Sequence, residues 1–318
     1  MLTRRTFVST IAAASAAAPY AVRAQTALVP IRAAITPVYY DAVPILYAQR
    51  TGMFAKAGID LQLGRLPTGA SITAAVAGGS LDLGKSTFLP VVAAFAHGIP
   101  LTVIAPGAVY DSRSPNGAVV VAKDSPLRTA ADLAGKVIAV NNLNDPTRPA
   151  MDKWLDSAGL GKDAVKYVEI PMAAEPAALD VHRIDAIMLT SPIMDDALAT
   201  GKYRILYPVM NEIAPRWLFS SYFALHDWAA KNKDAVKRFA DVMVTSAAYT
   251  NAHHGELAAL IADLVGSTEA SIARMTWPTG GTALLPAEMQ PMIEIATKYA
   301  LIPKRFEARD MIFDPSKA

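Results

Sequence analysis

Apolar residues occur in short clusters, and the spacing inside them switches between two periods. Ile31-Arg32-Ala33-Ala34-Ile35 is a compact apolar run stopped by Thr36-Pro37, which predicts a buried strand. Val43, Leu46 and Tyr47 recur at helical spacing, so a helix is expected over 41–50, with Gly52 after it. Met53 to Gly58 reads as a short extra turn, and Ile59 to Leu63 alternates as a strand does. Thr68-Gly69-Ala70-Ser71 opens a small-residue helix that ends near Gly78-Gly79. A short strand from Asp82, a helix over 87–96 and a strand over 101–105 complete a first unit.

The turn-rich segment 112–117 then breaks the pattern. Beyond it, strands are expected over 118–122, 136–140, 165–170, 186–189 and 204–207. Helices are expected between them over 130–134, 147–158, 173–179 and 193–199. Ser220 to Ala224 reads as a strand returning to the first unit, and helices over 234–252, 256–265, 268–275 and 286–300 follow. Alternation of strand and helix with short loops predicts parallel sheets packed by helices.

The N-terminus does not belong to this pattern. Arg4-Arg5-Thr6-Phe7 carries the core of a twin-arginine export signal, and an alanine-rich run follows it. Val22-Arg23-Ala24 fits the small-x-small cleavage rule, so residues 1–24 are expected to be a signal peptide cut after Ala24. The cut removes Arg4, Arg5 and Arg23 and no acid, which turns the formal charge of +2 into −1. That balance gives no reason to expect nucleic-acid binding. The apolar stretch 87–106 is interrupted by Pro90, Gly98 and Pro100, so no stable membrane insertion is expected.

Composition removes several chemistries. The 318 residues are 53% hydrophobic and 18% charged, which excludes disorder as the main state. No cysteine occurs, so disulfides, thiolate metal sites and cysteine nucleophiles are unavailable. The five histidines form no HExxH-type ligand set, and no Gly-x-Ser-x-Gly elbow is present. No metal, cofactor or catalytic residue is expected.

Four segments carry a family resemblance: Tyr47-Ala48 with Gly52-Met53-Phe54-Ala55-Lys56-Ala57-Gly58-Ile59-Asp60-Leu61; Gly79-Ser80-Leu81-Asp82-Leu83-Gly84; Lys123 to Leu127 with Ala131 to Val140; and Ile184-Asp185-Ala186 with Ser191-Pro192. In their order they resemble the periplasmic solute-binding proteins of ABC importers, of the alkanesulfonate, taurine, nitrate and thiamine-pyrimidine-precursor type. The resemblance implies an α/β fold, the type II periplasmic binding protein. It would have two lobes, each a mostly parallel sheet flanked by helices, joined by two crossing strands. Lobe 1 would take 25–113 and 217–318, and lobe 2 would take 114–216. The implied function is capture of a small ligand for an ABC permease and ATPase by a periplasmic monomer. Two alternatives stay open: an adaptor for a sensor system, and an enzyme related to thiamine-pyrimidine synthesis. The synthase of that fold family uses a cysteine-rich motif that this chain lacks.

Ligands of α/β sheets collect beyond the carboxyl ends of strands, next to helix N-termini. That rule selects Tyr39 and Tyr40 after the first strand, Thr68, Gly69 and Ser71 before the next helix, and Ser86 and Thr87 before the third. In the second unit it selects Asn142, Asn144, Thr147 and Arg148, then Ser191. Trp217 and Tyr222 lie near the second crossing. Arg148 favours an organic anion, unless it pairs with Asp145 or Asp152. The tyrosines and Trp217 favour an aromatic or heterocyclic portion. Asp145 is the alternative anchor, for a ligand amine.

Overall fold

The computed structural model describes residues 28–36, 40–143, 145–161 and 163–316. The expected export signal, its cleavage site, Tyr39 and Asn144 lie outside them, and for Tyr40 only the backbone is described. The strands are β1 (Val29–Ile35), β2 (Ile59–Arg65), β3 (Leu83–Thr87), β4 (Leu101–Pro106), β5 (Ala108–Asp111), β6 (Gly117–Ala122), β7 (Val137–Val140), β8 (Lys166–Glu169), β9 (Ala186–Thr190), β10 (Tyr203–Tyr207), β11 (Arg216–Leu218), β12 (Ser220–Leu225) and β13 (Thr279–Gly280). The helices are α1 (Val43–Arg50), α2 (Met53–Lys56), α3 (Gly69–Ala77), α4 (Phe88–Ala96), α5 (Thr147–Ser157), α6 (Glu175–Asp180), α7 (Ile193–Ala199), α8 (His226–Lys231), α9 (Lys233–Ala252), α10 (His254–Val265), α11 (Glu269–Arg274) and α12 (Pro286–Lys298).

Two five-stranded sheets carry the molecule, ordered β2-β1-β3-β12-β4 and β10-β6-β9-β7-β8. In the first, β2 and β3 run parallel to β1, while β12 is antiparallel to both β3 and β4. Four of its five strands therefore share one direction. The second sheet repeats this: β8 and β9 are parallel to β7, and β6 is antiparallel to β9 and β10. Each lobe is thus a mostly parallel sheet with one reversed strand. The reversed strand in each is the one the chain enters after crossing from the other lobe.

The crossings are β5 and β11, which pair antiparallel with Trp217 opposite Tyr110 and Leu218 opposite Val109. β13 extends them as a small third sheet. Periodicity along the chain could not single these strands out. They are three or four residues long and their apolar residues read as continuations of neighbouring runs. Around the crossing, Tyr110, Trp217 and Phe219 pack with ring centroids 5.7 Å apart in each successive pair. One apolar cluster runs through both lobes here, with Met210, Trp217 and Leu218 joining Val103 to Val119.

Local chemistry sets the helix starts. The first helix opens as a 3-10 turn over Tyr40–Ala42, before Pro44 in the first turn of α1. Thr68 caps α3: its hydroxyl accepts from the Ser71 amide, and the Ser71 hydroxyl accepts from the Thr68 amide. The 130–134 segment is a single 3-10 turn, Ala131–Leu133. C-terminal helix α9 packs on α1 and β4, and α12 packs on α4 and β11. Among the described residues no helix is long and apolar enough to cross a membrane.

Candidate functional site

The carboxyl ends of β1 and β3 face those of β7 and β9 across a cleft. Lobe 1 lines it with Thr36, Asp41, the segment Pro67 to Ala70, Thr87 and Pro90. Lobe 2 lines it with Asn141, Asn142, Asp145, Thr147, Met172, Met188 and Thr190. Its cavity of about 90 Å³ is several times the space one water requires, roughly 10–15 Å³.

The lobe 1 floor is built on β3. Lys85, on this central strand, is 1% exposed and its ammonium pairs with Asp41. Burial pulls the Lys85 pKa below its usual value, and Asp41 works against that pull. Gly69 lies over the next residue of β3. A Cβ there would sit 2.1 Å from the Ser86 hydroxyl, so only glycine lets α3 approach so closely. The Ser86 hydroxyl is buried and has no hydrogen-bond partner among the described residues.

The lobe 2 wall is acidic. Asp145 Oδ1 accepts from the Thr147 amide at 3.1 Å and the Thr147 hydroxyl at 3.0 Å. Burial raises the Asp145 carboxyl, against these two bonds. Glu175 opens α6, directly after the turn that holds Met172, and is wholly buried. Neither of its oxygens has a hydrogen-bond partner among the described residues. Burial pushes its carboxyl up to about 8; the nearby Met188 amide opposes this, and the field of Asp145 adds to it.

Of the residues selected from sequence, the cleft brings together Thr68, Gly69, Thr87, Asn142 and Thr147. Ser71 is engaged in the α3 cap. Ser86 and Ser191 lie one layer beneath, 1% exposed beside lining residues Thr87 and Thr190. Arg148 is not among the lining residues. Its Nε reaches Asp152 at 3.1 Å and its guanidinium lies over the Tyr167 ring at 4.0 Å. Trp217 and Tyr222 are core residues, 0% and 1% exposed, and the Trp217 indole donates to the Met210 carbonyl. Asp41, Lys85, Glu175, Met172 and Met188 escaped selection. Lys85 left a signal: a charge on a strand flanked by two helices needs a partner once that strand is buried.

A second contact spans the lobes. On α7, the Asp195 carboxylate accepts from the Thr276 amide and hydroxyl at 3.2 and 2.9 Å. Asp196 accepts from the Ser271 hydroxyl and pairs with Arg274 at 2.8 Å. These partners belong to the α11 region, which packs beside α10. Among the described residues no group of three or more His, Asp or Glu side chains is placed to hold a metal ion.

Comparison with known proteins places this geometry. A family profile described as NMT1/THI5 like matches residues 40–256. An Escherichia coli K12 protein described as an aliphatic sulfonates-binding protein is 25% identical over 259 residues, 79% of this chain and 78% of its own. A 4-amino-5-hydroxymethyl-2-methylpyrimidine phosphate synthase from Legionella pneumophila is 29% identical over 129 residues, 41% of this chain and 39% of its own. Among solved structures, the periplasmic aliphatic sulphonate binding protein of Escherichia coli superposes with a TM-score of 0.74 at 22% identity, covering 90% of this chain and 92% of that one. The two-lobed periplasmic binding protein fold follows from this superposition.

Proposed function

Because the chain belongs to the NMT1/THI5-like family, we propose that it is an extracytoplasmic solute-binding protein that captures a small organic ligand between closing lobes and delivers it to an ABC importer. The observation that carries this reading is a cleft lined by loops of both lobes, at the carboxyl ends of both parallel sheets. Ligand contacting both walls binds the closed form better than the open one and shifts the population toward it. The site residues of this reading are Thr36, Asp41, Thr68, Gly69, Thr87, Asn142, Asp145, Thr147 and Thr190.

The sulfonate-binding relative supports the transport role. The twin-arginine motif supports export to the periplasm, with cleavage after Ala24, and a monomer serving a permease and ATPase completes the reading. The synthase relative offers an enzymatic alternative; the cysteine-rich motif that the family resemblance implies for such an enzyme has no counterpart in this chain, which contains no cysteine. Small-angle scattering with and without saturating ligand tests the hinge. A radius of gyration unchanged at saturation refutes closure.

A further inference from the structure

The charges of the cleft point to the chemical class of the ligand, an inference that rests on the capture reading above. The described lining residues include two carboxylates, Asp41 and Asp145, and no Lys, Arg or His. Lys85, the cation under the floor, is consumed by Asp41. Arg148, at the start of α5, is consumed by Asp152 and Tyr167. Lobe 1 therefore presents a neutral pair, and lobe 2 presents the uncompensated charge of Asp145.

Two further observations show that this wall awaits a donor. Asp145 Oδ1 is engaged by Thr147, while Oδ2 has no hydrogen bond within the described residues. Glu175, 0% exposed beside Met172 and Met188 of the same wall, has no partner there for either oxygen. Buried polar groups in folded proteins are nearly always bonded, so the unbonded Glu175 carboxyl behind Asp145 marks a place where a donor arrives from outside.

We propose that the ligand carries a protonated primary or secondary amine, which docks on Asp145 of lobe 2 with Glu175 behind it. A quaternary ammonium is a poorer match, because it carries no N–H to donate to the carboxylate oxygen. Lobe 1 faces the other end of such a ligand with the hydroxyls of Thr36 and Thr87 and the first backbone amides of α3 at Gly69 and Ala70. That set receives a hydrogen-bond acceptor. An anionic head placed on Asp145 meets like charge, with no cation among the described lining residues to offset it.

The test is a thermal-shift and calorimetric panel on the purified protein. It comprises aliphatic amines and amino alcohols against alkanesulfonates, carboxylates and diols, all of two to six carbons. The expected result is stabilisation by amine-bearing compounds alone, with affinity at least tenfold weaker in Asp145→Asn and several-fold weaker in Glu175→Gln. Circular dichroism of both variants controls for folding. Stabilisation by sulfonates, carboxylates or diols without an amine overturns the inference and leaves ligand capture standing. Amine binding that survives Asp145→Asn also overturns it. Silence from every class overturns the capture reading itself.

Discussion

Glu175→Gln removes an ionisation while keeping the side-chain volume, and so isolates the cost of one buried carboxyl. The folded protein holds this carboxyl near 8 against an ordinary 4.5, because burial and the field of Asp145 disfavour the charge more than the Met188 amide favours it. Between those two pH values the unfolded chain releases the proton and the folded chain keeps it. The unfolded state then binds fewer protons, so stability falls as pH rises. Glu175's contribution is fully present below about 4.5, declines through the window and levels off above about 8. At about 1.4 kcal/mol per pH unit, the whole window is worth on the order of 5 kcal/mol. The glutamine variant carries no such slope. Urea unfolding of both proteins at pH 5, 6, 7 and 8 measures the difference. The variant is expected to gain on the wild type by more than about 2 kcal/mol between pH 5 and pH 8. Parallel stability curves across that range refute the reasoning: the carboxyl would then be solvated or bonded in a way the geometry does not show.

Three other perturbations probe the same walls. Lys85→Met strands the Asp41 carboxylate beside a closed floor and should cost about 3–5 kcal/mol by denaturant titration, with Asp41→Leu in the same chain recovering most of it; no recovery refutes the pairing. Gly69→Ala drives a methyl into the buried Ser86 hydroxyl and should cost about 1–3 kcal/mol, with Ser86→Gly restoring stability in the double variant. Asp195→Ala with Asp196→Ala removes the α7 contacts to Ser271, Arg274 and Thr276 and should enlarge the unliganded radius of gyration in scattering; an unchanged radius shows that these contacts do not hold the lobes together.

Elements with a strong local period were legible in the chain alone. The parallel cores β1–β3 and β7–β9, with the helices between them, lie where apolar runs and turn residues place them. The reversed strand of each sheet was legible as a strand, but its direction was not. β6 and β12 pair with partners tens of residues away, and nothing in a period of two records which way a neighbour runs. The crossings β5 and β11 were hidden for a different reason. Their central residues are buried, so they show no alternating polar face, and a short apolar run carries no period to read.

The site divides along similar lines. Loops after parallel strands are a topological consequence, so Thr68, Gly69, Thr87, Asn142 and Thr147 could be chosen from element order alone. Which charges stay available in the cleft is a property of pairing, and pairing is settled by geometry. Arg148 and Asp145 stand three residues apart in one loop, and as written either can serve as the anchor. One turn of α5 carries Arg148 onto Asp152 at i+4, where the stacked Tyr167 holds it. The same turn leaves Asp145 at the helix N-terminus, lining the cleft with one oxygen unbonded among the described residues. The helix phase therefore decides the sign of the site. A single turn of α5 pairs the cation and leaves the anion at the cleft, a choice that the order of residues leaves open and on which the proposed amine ligand rests.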